Sequence, residues 1–355
     1  MLTIGQESSQ PIEMDAGSKV WAVTFSANGE YIVSGDDEKV QVWRVDDQKQ
    51  LATIETGNVN CVAVSNDGKW IAAGTSQGDV FVWDAATFRL AIKHNEYQFI
   101  HGVDFSPDST RLVSATYKKA VVWDLATRKQ MQTLHHEDYV RAAKYSPQGD
   151  RIATATRDGS VQVWDDNDGQ LLVDIKGQVT PWRNTGLLWF NDHLLVVSDD
   201  KIKEFDAYTG STVSESPVPK SNYYSRIALP KHRAFIAYST DHTVTFWDTS
   251  THSLLALNLI QHPQDTCSIA FSPDDCFIAI GGTDGKITIE SVSRAIVSVL
   301  SRWIRHIRAT LRVFPHRIPS HCLVYIQLFN NLTFISMALR SAYGNMTNLR
   351  TQTCY

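Results

Sequence analysis

One strand-like phrase recurs along this chain at a nearly constant interval, and that interval limits what it can fold into. Aligning on the aromatic residue that ends each "VxVW"-like segment places Trp43, Trp83, Trp123, Trp164, Phe205, Trp247 and the Glu290 position in one column, 40 to 43 residues apart. A period of roughly 40–45 residues with strand-like alternation signals a stacked or radial array of four-stranded units. Period-2 alternation of apolar residues excludes a helical solenoid.

Each unit reads alike. A first strand runs into a turn, as in "VWAVTFSANG" (20–29), "IHGVDFSPDS" (100–109) and "VRAAKYSPQG" (140–149). Ser-Pro-Asp-Gly chemistry suits a tight reversal, because Pro presets φ and Asp or Gly tolerates the bend. A short second strand such as "YIVSG" or "RIATA" follows, then a turn with Asp, then "VQVW", "VFVW", "AVVW" or "VTFW". A last hairpin, "DAATFRL" or "DLATRKQ" for example, returns as a fourth strand. Units five and six are the weakest copies, since "LLWFNDHLL" and "IALPKHRAF" lack the Ser-Pro turn.

These units resemble the WD repeats of β-propellers, in seven registers over roughly residues 11–290. The Trp-Asp pair stands at 83–84, 123–124, 164–165 and 247–248. Trp43-Arg44, Phe205-Asp206 and Glu290-Ser291 depart from it. The strand wording also resembles WD-repeat arrays expanded in mushroom-forming fungi. The resemblance implies an all-β, seven-bladed propeller over 1–290 with a short, partly helical C-terminal tail over 291–355. Blade seven has only three strands before the pattern stops near 290, so its fourth is expected from the N-terminus, around 10–17. A ring closed in this way has no free sheet edge.

The resemblance further implies a staple within each blade. A His before the first strand, a Ser or Thr in the second, the turn Asp and the Trp hydrogen-bond in series, which satisfies buried polar groups and sets the register. Blade four carries the full set as His136, Thr154, Asp158 and Trp164, whereas blade seven keeps His262 and Asp284 without the Trp. Blades two and three have Gln77 and Tyr117 where the Asp belongs, so blade stability should be uneven.

Partners of such propellers dock on the face built by the loops entering the first strands and preceding the turn Asp. Mapped onto this chain, the partner-binding candidates are Trp21, Asp36, Asn60, His101, Arg141, Arg157 and Thr240. Trp and Arg are the expected anchors, as they dominate interface hot spots. The plainer reading of Trp21 is packing at the ring mouth.

Charge divides the chain sharply. Residues 291–355 hold eight Arg and no Lys, Asp or Glu, which leaves 25 of the 33 basic side chains against all 38 acidic ones, a balance of −13 over 1–290. An acidic body argues against nucleic acid as a partner, because a basic face is its usual footprint. Within the tail, 294–314 reads as a basic amphipathic helix. Ile296, Leu300, Trp303, Ile304, Ile307, Leu311 and Phe314 share one stripe, opposite five Arg. It suits a partner groove or the acidic propeller better than an anionic membrane surface, although the latter stays open. The uncharged run 318–339 has spanning length, yet Gln327, Asn330, Asn331 and Thr333 make insertion costly.

Chemistry is sparse. "LHHEDYV" (134–140) offers His135, His136, Glu137 and Asp138, but adjacent strand residues point to opposite faces, so no metal is expected. There is no G-x-S-x-G elbow, and "GGTDGK" (281–286) is not followed by a helix, so neither a nucleophile nor a phosphate loop is indicated. Five scattered cysteines and an N-terminus without a signal-like segment point to a reducing cytoplasmic or nuclear setting. The expectation is a non-catalytic scaffold that binds other proteins and needs no cofactor. The alternatives are an enzyme using the central channel and a membrane-peripheral adaptor anchored by 294–314.

Overall fold

The computed structural model describes residues 11–177, 186–197, 201–218, 226–230, 235–249 and 252–292. The boundary at 290/291 therefore lies at the edge of the described residues, and the expected helix over 294–314 lies outside them. A lone N-terminal strand, β1 (Ile12–Asp15), precedes blade one, built from β2–β5 (Ala22–Phe25, Tyr31–Gly35, Lys39–Arg44, Gln50–Glu55). Blade two holds β6–β9 (Val59–Val64, Trp70–Thr75, Asp79–Asp84, Leu90–Asn95) and blade three β10–β13 (Gly102–Phe105, Arg111–Thr116, Lys119–Asp124, Lys129–His135). Blade four is β14–β17 (Val140–Tyr145, Arg151–Thr156, Val161–Asp165, Leu171–Ile175), and blade five is β18–β21 (Gly186–Phe190, His193–Val197, Lys201–Asp206, Thr212–Pro217). Blade six comprises β22–β25 (Arg226–Ala228, Phe235–Thr240, Thr243–Asp248, Ser253–Gln261) and blade seven β26–β28 (Thr266–Phe271, Phe277–Gly282, Lys286–Ser291).

Every sheet is a four-stranded antiparallel meander, and the seventh is completed by β1 in the order β1-β28-β27-β26. The N-terminal clasp pairs Ile12 with Ile289 and Met14 with Ile287, and Lys286 Nζ reaches Glu13 Oε2 at 2.6 Å. The fold is thus an all-β, seven-bladed propeller.

Turn chemistry explains the short blades. After the first strand, a Ser hydroxyl meets a carboxylate or amide oxygen two residues on: Ser65 with Asp67 (2.7 Å), Ser106 with Asp108 (2.5 Å), Ser272 with Asp274 (2.6 Å). The same hydroxyl accepts the N–H five residues ahead, from Trp70, Arg111 and Phe277 respectively, and so starts the second strand in register. The Asp that follows the Trp does the same for the last hairpin. Asp84 and Asp124 each accept the backbone N–H of a Thr three residues on (2.8 and 2.6 Å).

The core is not inside the blades but between them. One apolar cluster joins Val80, Val82 and Ile92 of blade two to Ile100, Leu112 and Trp123 of blade three. An equivalent cluster closes the ring, with Met14, Ile287 and Ile289 against Val23, Ile32 and Trp43. Blades must approach closely for this. A Cβ on Gly74 would sit 2.3 Å from Ile100 Cγ2, and one on Gly35 2.3 Å from Val59 Cγ1. Glycine is required there by space, not by φ.

The staple of blade four is shorter than expected. Trp164 Nε1 donates to Thr154 Oγ1 (3.0 Å), and Thr154 Oγ1 lies 2.8 Å from His136 Nε2. His136 Nδ1 is 2.9 Å from the Leu134 carbonyl, which makes Nδ1 the protonated nitrogen of a neutral ring. Asp158 is a correction: it accepts from Thr156 Oγ1 (2.6 Å) and Ser160 N (3.0 Å) and holds the turn, because Thr156 is two residues away and meets it first. In blade seven Asp284 likewise accepts Lys286 N (3.0 Å) instead of joining His262. Ile280 stands where Thr154 stands in blade four, so His262 Nε2 lies instead 3.4 Å from Thr288 Oγ1 on the next strand. Blades one and three keep the Trp–Ser half of the staple, Trp43 to Ser34 (3.1 Å) and Trp123 to Ser114 (3.0 Å).

Candidate functional site

The first strands of all seven blades surround a cavity of about 200 Å³ on the ring axis. Trp21, Asn60, His101, Arg141, Lys144 and Arg226 bring polar or aromatic groups to it. Several of the partner-binding candidates therefore converge at one mouth. His101 and Arg141 are in contact, with Arg141 Nη1 3.3 Å from each ring nitrogen. Burial, and then the guanidinium charges of Arg141 and Arg226, push the His101 imidazole down to about 4, so it is neutral near pH 7.

Around that pair the loops of blades three and four build an aromatic–arginine cluster. Tyr139 is its centre. The guanidinium of Arg157 lies 4.3 Å from the Tyr139 ring centroid and that of Arg141 5.5 Å from it. Tyr117 meets the same ring edge-on at 4.7 Å, and Phe99 stacks on His101 at 6.0 Å. Arg157 is fixed by Asp138 through Nη2–Oδ1 (2.8 Å) and Nε–Oδ2 (3.1 Å). Two aromatic side chains of this cluster face solvent: Phe99 is 51% exposed and Tyr117 39%. Sequence reading missed Phe99, Tyr117 and Tyr139 as site residues, although Tyr117, at the position where Trp spacing puts a turn Asp, was a readable sign.

Two candidates are corrected by burial. Asp36 is only 1% exposed; its Oδ1 accepts the N–H groups of Glu38 (2.8 Å) and Lys39 (2.9 Å), so it caps a turn. Thr240 is 6% exposed and pairs with the Thr243 hydroxyl at 2.9 Å. Trp21 is half-buried, with Nε1 donating to Asp37 Oδ1 (2.6 Å), and packs at the ring mouth. Asn60 bridges blades two and three through the Ile100 carbonyl (3.1 Å). His101, Arg141 and Arg157 are the candidates that the fold gathers.

Reactive chemistry is weakly served at this mouth. The described cavity lining contains no Asp or Glu. Burial pushes the Cys61 thiol up to about 12 and the Cys267 thiol up to about 11, so neither supplies a thiolate nucleophile near neutral pH. Among the described residues no group of three or more His, Cys, Asp or Glu is placed to hold a metal, and no helix is long and apolar enough to cross a membrane.

Comparison with known proteins places these observations. The family model "WD domain, G-beta repeat" matches residues 11–44, 48–84, 88–124, 128–165 and 255–289. The chain is 25% identical to Autophagy-related protein 16 of Arabidopsis thaliana over 298 residues, 79% of this chain and 49% of that protein. It is 37% identical to Small ribosomal subunit protein RACK1y of Oryza sativa subsp. japonica over 102 residues, 27% of this chain and 30% of that one. MST50-interacting protein 11 of Pyricularia oryzae is 31% identical over 115 residues, 30% of this chain and 36% of its own length. The chain thus spans about half or less of the length of these curated relatives.

Proposed function

Because this chain belongs to the WD-repeat family, we propose that it is a non-catalytic protein-interaction scaffold that grips its partner at the loop end of blades three and four. The observation that carries this reading is the exposed aromatic pair Phe99 and Tyr117 around His101 and Tyr139 with its two stacked arginines. Tyr and Arg dominate interface hot spots, and Tyr presents much contact area for little lost rotamer entropy. Asp138 holds Arg157 in place before any partner arrives, which lowers the ordering cost of binding.

The relative named for interacting with MST50 supports a binding role of this kind. The acidic balance of 1–290 makes proteins, not nucleic acid, the partner class. The interaction module is assigned to 1–290 and the basic tail to 291–355. The free thiols of Cys61, Cys267 and Cys276 fit a cytoplasmic or nuclear setting.

The test is quantitative capture. A partner identified with the wild-type chain should lose roughly tenfold or more affinity with Tyr117→Ala or Arg157→Ala. Leu90→Ala, at an exposed residue of the outermost strand of blade two, should leave it unchanged. A partner held equally by all four proteins would place the interface elsewhere.

A further inference from the structure

The central cavity has a property that the partner-binding cluster does not explain. At the position where each first strand pairs with the fifth residue of its second strand, six blades carry Ala22, Cys61, Gly102, Ala142, Gly186 and Ser268. The seventh, in blade six, carries Arg226. Six small uncharged residues keep the axis open, and one guanidinium enters it. Arg226 is anchored by Nε, which donates to the Cys267 carbonyl at 2.7 Å, so its direction is set by blade seven. Arg141 comes from blade four, steadied on the His101 ring and on Tyr139.

Charge in this cavity opposes that of the protein around it. Residues 1–290 carry −13, yet the described lining holds Arg141, Lys144 and Arg226 with no carboxylate. Lys144 is met from outside the lining by Asp104 at 2.7 Å, and the guanidinium groups of Arg141 and Arg226 complete the cationic part of the lining. Burial first, and then both arginines, hold the His101 imidazole neutral. A neutral ring beside two permanent cations adds hydrogen-bonding capacity without needing protonation. At about 200 Å³ the space is below the roughly 300–1,000 Å³ of pockets for drug-sized ligands and suits a compact ion.

We propose that the channel is a binding site for a free, compact oxyanion of the phosphate class, held between Arg141 and Arg226. Guanidinium groups recognise phosphate oxygens through paired, charge-assisted hydrogen bonds. Ala142, Leu187 and Ile227 add apolar surface to the lining between the polar groups. The site shares Arg141 with the partner-binding cluster, but Arg226 belongs to blade six and Tyr117 and Arg157 are not among the lining residues, so Arg226 on one side and Tyr117 or Arg157 on the other test the two readings apart.

Isothermal titration of the full chain with inorganic diphosphate at fixed ionic strength tests this. The wild-type protein should show saturable one-to-one binding, with the His101 ring resonances shifting in parallel. Arg226→Gln should weaken binding roughly ten- to hundredfold, the value of a charged hydrogen-bonding partner. Arg44→Gln, at an exposed arginine paired with Asp47, should not weaken it. If Arg226→Gln does not fold, Arg141→Lys takes its place; it keeps the charge, loses the planar fork and should still bind more weakly. Absence of saturable binding, a stationary His101 signal, or equal affinity across wild type and variants would overturn the proposal.

Discussion

At the scale of single residues, hydrogen-bond partners decide which positions matter. Thr154 serves two buried groups at once, Trp164 Nε1 and His136 Nε2. Thr154→Val keeps the shape and removes the hydroxyl, so both groups lose their bond, at a cost of about 2–4 kcal/mol. Ser114→Ala strands only Trp123 and should cost about 1–2 kcal/mol. Urea denaturation of the two variants side by side measures the difference, and equal losses would contradict a shared hydroxyl. Tyr117 acts at the surface instead. With Lys118 it forms the two-residue turn between Thr116 and Lys119, and it presents a partly exposed ring there. Tyr117→Asp should leave the melting temperature near that of the wild type and weaken partner capture by roughly tenfold.

At the scale of elements, the clasp is the joint on which the ring depends. Blade seven lacks the Trp staple, and its outermost strand comes from the other end of the propeller. Met14 is buried between blades seven and one, so Met14→Ala should cost about 2–5 kcal/mol. Glu13→Gln removes an exposed ion pair with Lys286 and should cost less than about 1 kcal/mol. Hydrogen exchange locates the effect: amides of β28 should lose protection in Met14→Ala before those of β11 or β15. Uniform loss across blades would mean that the ring opens as one unit instead of at its clasp. Blades five and six show how turn chemistry governs legibility. The family model passes over residues 166–254, the span in which the Ser-Pro turns are missing from the sequence.

At the scale of the whole molecule, buried neutral histidines set the acid limit. His136 is pushed down to about 4, first by burial, and His101 is likewise held at about 4. Both folded-state values lie below the unfolded value of about 6.5, so the unfolded chain binds more protons as pH falls. Their contribution is complete above pH 6.5 and is lost progressively between about 6.5 and 4. For His136 that loss is on the order of 3 kcal/mol. The Asp residues that cap the turns act in the same direction at lower pH. Asp84, Asp124 and Asp158 are all held below the usual carboxylate range, Asp84 and Asp124 mainly by hydrogen bonds from Thr87 and Thr127, Asp158 by those from Thr156 and Ser160 against the opposing effect of burial. Melting temperature followed from pH 7 to 4 should fall, and His136→Gln should be less stable at pH 7 but show a shallower slope. An unchanged slope would mean that His136 does not carry the linkage.

The blade count, the four-strand content of each blade and the N-terminal closure were all legible in sequence, because period, alternation and turn residues are local and repeat seven times. Closure followed from arithmetic on strands: blade seven ran out of them near Glu290, and only the segment around Met14 was left to complete it. Tertiary structure alone decided which side chains do the binding. Asp36 and Arg157 both read from the sequence as docking-face residues, yet one is buried as a turn cap and the other stacks on Tyr139 at the surface. Arg141 and Arg226 are 85 residues apart in the chain and share a cavity because the ring folds both blades onto one axis. Burial and charge at each position are set by the neighbouring blade, about forty residues away, and no local pattern carries that information.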